Sequence, residues 1–131
     1  MGIAAEVTVD VKAARAFLQE RERQRYRQRE DLRQSAVRLA RAAAHSVLPA
    51  FPHVCRAWLF GSAVRPGAMR RNSDIDIAIE GNLNAEDYFT LWRELERAIP
   101  GWTVEVVELE RAVRFAERVR QSGELIYARA D

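Results

Sequence analysis

Three observations on this chain of 131 residues predict an α/β fold. Some segments carry apolar residues at helical spacing, and between them lie short runs whose residues alternate as in strands. Pro and Gly punctuate the joins, at Pro49, Pro52, Pro66-Gly67, Gly81, Pro100-Gly101 and Gly123. The two kinds of segment also alternate along the chain, the order expected of a sheet covered by helices.

The elements follow in order. Residues 1–10 carry little pattern and are read as weakly ordered. Residues 11–48 contain no Gly or Pro and predict one long helix or two. In its second half Ala36, Leu39, Ala40, Ala43, Ala44, Val47 and Leu48 form one apolar face. The stretch from Glu20 to Arg33 has almost no apolar residues beyond Tyr26 and Leu32. It reads as a solvated helix or, in a sharper reading, as an arm that contacts a partner protein or an RNA backbone. Pro49 and Pro52 end the helix.

Ala57-Trp58-Leu59-Phe60 predicts a buried strand leading into Gly61-Ser62, and residues 63–72 a polar connector. Ser73 to Glu80 predict a second strand. Asn84 suits the N-cap of a helix with Glu86 and Asp87 in its first turn, where its dipole favours anions. Tyr88, Leu91, Trp92, Leu95 and Ile99 would be its apolar face. Thr103 to Leu109 predict a third strand, and Arg111 to Gln121 a last helix with Ala112, Phe115, Ala116 and Val119 inward. Leu125-Ile126-Tyr127 would add an edge strand. The length predicts one domain over residues 1–131, with a helical extension at 11–48 and a core at 54–127.

Composition excludes several classes. No apolar run approaches the roughly 20 residues of a membrane span, and the N-terminus lacks the pattern of a secretory signal. With one cysteine, Cys55, no internal disulfide can form. Cys55 is read as a small buried hydrophobe in a reducing, cytoplasmic protein. Lys+Arg total 21 against 19 Asp+Glu, a net charge of +2 that by itself does not mark a nucleic-acid binder. Lys12 is the single lysine, so the positive charge is nearly all arginine.

The chemistry concentrates in residues 59–79, LFGSAVRPGAMRRNSDIDIAI. Side chains two apart in a strand share a face, so Asp74 and Asp76 lie together while Ile75, Ile77 and Ile79 point the other way. Paired carboxylates repel and are costly to bury. A divalent cation with hard oxygen ligands removes that conflict. Gly61 at a strand end permits close backbone approach, and Ser62 beside helix N–H groups can hold phosphate oxygens. No lysine follows the pair, so this is not a P-loop. In TVEVVEL, Glu105 becomes a third carboxylate if its strand lies beside the second, with Glu108 the competing candidate at the strand end.

Together these residues resemble the minimal nucleotidyltransferases of the polymerase-beta superfamily. The matching pattern is Phe60-Gly61-Ser62, eleven spacer residues, then Asp74-Ile75-Asp76 preceded by Ser73, with a third acid on a later strand. The closing segment FAERVRQSGELIY is also similar. The resemblance implies a polymerase-beta-like fold: a short mixed sheet flanked by helices, here with a long N-terminal helix. It implies transfer of AMP from ATP to a hydroxyl. Asp74, Asp76 and Glu105 would serve as catalytic acids and metal ligands, and Gly61, Ser62, Arg65 and Ser73 would contact phosphate. Two Mg2+ ions are implied, with Mn2+ a substitute, and Arg70 and Arg71 would help neutralise the triphosphate.

The family places aspartate where this chain has Glu105, one methylene longer, and the spacer carries an extra residue at Pro66. The resemblance further implies a partner, a helical HEPN-domain toxin with the nucleotidyltransferase as its antitoxin and a toxin tyrosine as acceptor. Nucleic acid is the less favoured partner. Two alternatives stand: a weak or inactive antitoxin acting by binding, or a nucleotidyltransferase for RNA or a small molecule. His45 and His53 fit no metal spacing.

Overall fold

A computed structural model describes residues 10–130. The reading of the first residues as weakly ordered therefore falls, for 1–9, outside the described residues. Helix α1 runs unbroken over Val11–Val47. A 3-10 turn through Pro49 follows it and leads to strand β1, Val54–Phe60. After the spacer come β2 (Ile75–Gly81), α2 (Ala85–Ala98), β3 (Val104–Glu108), α3 (Val113–Ser122) and β4 (Glu124–Ala128).

The strands form one mixed sheet in the order β3-β2-β1-β4. β1 pairs antiparallel with β2 and β4, while β2 and β3 run parallel, linked through α2. The predicted second strand is thus interior. Ile75, Ile77 and Ile79 are fully buried in a cluster with Ala36, Ala40 and Ala43 of α1 and Leu91 and Leu95 of α2. On the other face Ala78 packs with Ala116 and Val119 of α3, with Trp58, Phe60 and Phe115 at the margin.

Local chemistry explains the element ends. The Asn84 side chain accepts a hydrogen bond from the Asp87 N–H at 2.8 Å, the expected N-cap. Because β3 is at the sheet edge, its outward carbonyls need partners. Trp92 Nε1 donates to the Val104 carbonyl and the Tyr88 hydroxyl to the Val106 carbonyl, both at 2.6 Å. Arg129 donates to the carbonyls of Phe51 (2.8 Å) and Val54 (3.2 Å), tying the chain end to the α1–β1 turn.

Three expectations need correction. Cys55 is exposed, not buried: the β1–β2 register shifts between Val54 and Arg56, and this irregularity turns Cys55 outward. α3 starts at Val113 after a 3-10 turn, which leaves Ala112 exposed. The charged stretch of α1 is solvated only up to its last turn. Arg33 donates to Glu30 through Nε at 2.9 Å and to the Ala63 carbonyl at 3.2 Å, and the Gly67 N–H donates to Glu30 at 2.9 Å. Glu30 and Arg33 thereby clasp the spacer.

Candidate functional site

β1 leads into the Gly-Ser pair, the entry to β2 carries Asp74 and Asp76, and the antiparallel register sets Phe60 opposite Asp76. Gly61 follows with φ +72°, a left-handed conformation that favours glycine. A Cβ at Gly61 would run into the Asp76 carboxylate oxygen Oδ2. The glycine is therefore required twice, for its backbone angle and for the carboxylate seated against it.

Gly61–Val64 form a short 3-10 turn, not the start of an α-helix. The turn stops at Arg65, whose extended backbone (φ −112°, ψ 113°) is what the following Pro66 imposes. The expectation of helix N–H groups beside Ser62 is thus corrected: one tight turn supplies the local amides. Ser62 is half-buried and Arg65 exposed. Ser73 accepts a hydrogen bond on Oγ from the Arg70 N–H at 2.9 Å and so braces the end of the spacer, leaving its own hydroxyl proton to donate. Arg70 and Arg71 line a cleft with α1.

Asp74 lies one residue before β2 rather than within it, and Asp76 is the second strand residue. In the parallel β2–β3 ladder Asp76 is directly in register with Glu105. Paired residues of neighbouring strands share a face, so these two carboxylates stand side by side. Glu105 is exposed, whereas Asp76 is half-buried. Burial, then the Glu105 charge, then that of Asp74 push the Asp76 carboxyl up to about 6. Glu108 alternates to the opposite face from Glu105 and sits 3.6 Å from Arg111, so it is engaged elsewhere.

A divalent cation suits this donor set chemically. All three side chains offer hard carboxylate oxygens, and among the described residues none of them has an arginine partner. As they stand, no three His, Cys, Asp or Glu side chains among the described residues close into a metal cage. The fit is one of chemistry, with Asp76 and Glu105 on a shared face and Asp74 just before the strand.

One acid on this face escaped sequence reasoning. Glu80, four residues beyond Asp76, is buried and held by Arg120 at 2.6 Å and Arg56 at 3.3 Å. Burial would raise its carboxyl, but the two guanidinium groups outweigh it and the net shift is downward. Its strand alternation with Asp76 was visible, but its partner forty residues away was not.

Comparison with known proteins agrees with the geometry. The family model described as "Polymerase beta, Nucleotidyltransferase" matches residues 44–131. No curated protein matches the sequence. A solved structure of a toxin-antitoxin with AMP-PNP is 27% identical, with a TM-score of 0.58 over 68% of this chain and 73% of that one. A mutant of the toxin-antitoxin MntA-HpeT is similar at 25% identity, also with a TM-score of 0.58, 68% of this chain and 73% of that chain. A MntA-HepT structure at 24% identity shares the fold, with a TM-score of 0.53 over 70% of this chain and 73% of that chain. The family match spans more than half the chain and includes the Gly-Ser turn, both aspartates and Glu105, so this protein belongs to the polymerase beta nucleotidyltransferase family.

Proposed function

We propose that this protein is a metal-dependent nucleotidyltransferase that moves AMP from ATP to a hydroxyl of a partner protein, acting as an antitoxin. The observation that carries this reading is the register of Asp76 with Glu105, with Gly61 seated against Asp76. The acceptor is a tyrosine of a HEPN-domain toxin. The likeness to toxin-antitoxin structures, one of them with AMP-PNP, supports both partner and donor.

Asp74, Asp76 and Glu105 would hold Mg2+, which neutralises phosphate charge and favours the ionised acceptor oxygen. Asp76, fixed on the interior strand, orients the donor end of the site. Gly61 leaves room for a phosphate against the backbone, and Ser62 donates its hydroxyl to a phosphate oxygen. Arg65 contributes positive charge from the solvent side. Glu105, on the open edge strand, faces the acceptor and receives its proton. The acceptor oxygen bonds to the α-phosphorus as pyrophosphate departs with the electrons of the broken P–O bond.

A second reading has its own observation: Glu105 is exposed and longer than the family's aspartate, and no closed cage is present among the described residues. In that reading the protein neutralises its toxin by binding alone. ATP labelled in its α-phosphate, incubated with Mg2+ and the partner, separates the two. Label on a partner tyrosine supports the enzyme, and no label on any protein, RNA or small molecule sinks it. Neutralisation that survives in the Asp74→Ala/Asp76→Ala protein supports binding alone.

A further inference from the structure

The α1 arm and the spacer flank an open cleft of about 670 Å3. Its walls carry Arg25 and Arg29, one turn apart on α1, facing Arg70 and Arg71 of the spacer, with Asp31 the single acid. Among the described residues Arg29, Arg70 and Arg71 have no carboxylate partner, and Arg25 shares only an exposed pair with Glu22. The remaining polar lining is Gln28 and Ser35, and Leu32 is the only large apolar residue.

We propose that this cleft binds the phosphodiester backbone of a nucleic acid. Arg, Gln and Ser are the side chains that contact phosphate and sugar. Within the cleft Leu32 alone does not supply the apolar anchors of a protein interface; the exposed Phe17 and Leu18 lie farther out on α1, outside the cleft lining. Arg70 and Arg71 are thereby assigned to the nucleic acid rather than to the triphosphate that the family resemblance implies for them. The cleft is walled by α1, whereas strand alternation puts Asp76 on the face of Ala78, which packs against α3. The α1 wall also precedes residue 44, where the family match begins, so it is an addition to the matched domain. The proposal is independent of the transfer reaction.

The test is fluorescence anisotropy of the full chain with a labelled oligouridine of about 16 nucleotides, titrated at several salt concentrations. Binding should weaken linearly on a log–log plot. The Arg25→Ala/Arg29→Ala variant should bind more weakly and flatten the slope by about 1.4, or 0.7 per lost phosphate contact. Alanine is the better helix former, so the arm should persist, as circular dichroism would verify. Arg25→Lys/Arg29→Lys, which keeps the charge, should restore the slope and serves as the second arm if the alanine variant loses helicity. An unchanged slope in the alanine variant, or an unrestored one in the lysine variant, overturns the proposal. So does displacement by polyglutamate as effective as by unlabelled RNA, which would mark an acidic protein as occupant. Weakened Mg-ATP binding in the same variant would reassign the cleft to the donor.

Discussion

Asp76 and Glu80 sit on the same face of β2, four residues apart, and the protein treats them in opposite ways. Glu80 receives two arginines and its carboxyl is held below its ordinary value. Asp76 receives two further acids and its carboxyl is pushed up to about 6. Pairing is what a buried acid needs when its task is structural. An acid left unpaired beside like charges is what the proposed metal site requires, since a bound cation would relieve the repulsion. One strand thus carries an acid paired within the fold and another left without an arginine partner among the described residues.

The sharpest way to break that contrast is Asp76→Asn. Losing a charged ligand should raise the barrier by several kcal/mol, at least about 100-fold in the rate of label transfer. Its melting temperature should hold or rise, since a repelling charge is gone. A variant that keeps its transfer rate would remove Asp76 from the site.

Arg120→Ala attacks the other acid. Glu80 would remain buried with Arg56 alone, and because both arginines are half-exposed the expected loss is about 2 kcal/mol. Glu80→Gln should cost less, since it leaves the arginines to solvent. Chemical denaturation would compare them, and equal losses would contradict the assignment of a buried charge as the penalty.

Gly61→Ala tests the contact between the turn and Asp76. The left-handed backbone alone should cost about 1–2 kcal/mol. The new methyl must also displace the Asp76 carboxylate, so Mg-ATP affinity should fall along with stability. Isothermal titration of a still-folded variant would show whether the two effects travel together.

The smallest effect expected is on pH. The folded-state carboxyl of Asp76 is raised, so its contribution to stability is fully present below the unfolded-state value. That contribution is lost as pH rises through about 6. Metal-free protein should therefore gain melting temperature between pH 7.5 and 5 through this residue. The gain should be smaller in Asp76→Asn. Glu30, lowered to about 2 chiefly by Arg33, works in the opposite sense but only between about 4.5 and 2, outside that window.

Strand alternation was enough to nominate Asp74, Asp76 and Glu105, because a period of two needs only neighbouring residues, although Asp74 falls just before β2. The register that sets Glu105 beside Asp76 is a tertiary fact and could be posed only as a condition. What stayed hidden depends on distant partners. Glu30 and Arg33 look like any charged helix surface until the spacer folds onto them. Cys55 looks like a core residue until the irregularity in β1 turns it out. The 3-10 turn after Gly61 hinges on Pro66 acting back through Arg65, a restraint readable in retrospect from the chain alone.

The clasp of Glu30 on the Gly67 amide also gives the molecule a built-in gauge. That one N–H bridges the helix to the loop that leads from the Gly-Ser turn to the aspartates. Its hydrogen-exchange rate reads the tightness of that attachment directly. A partner that grips the outer part of α1 and bends it away would speed exchange at Gly67, and one that presses it home would slow it. Loading of the distant arm can thus be followed at a single backbone proton near the site.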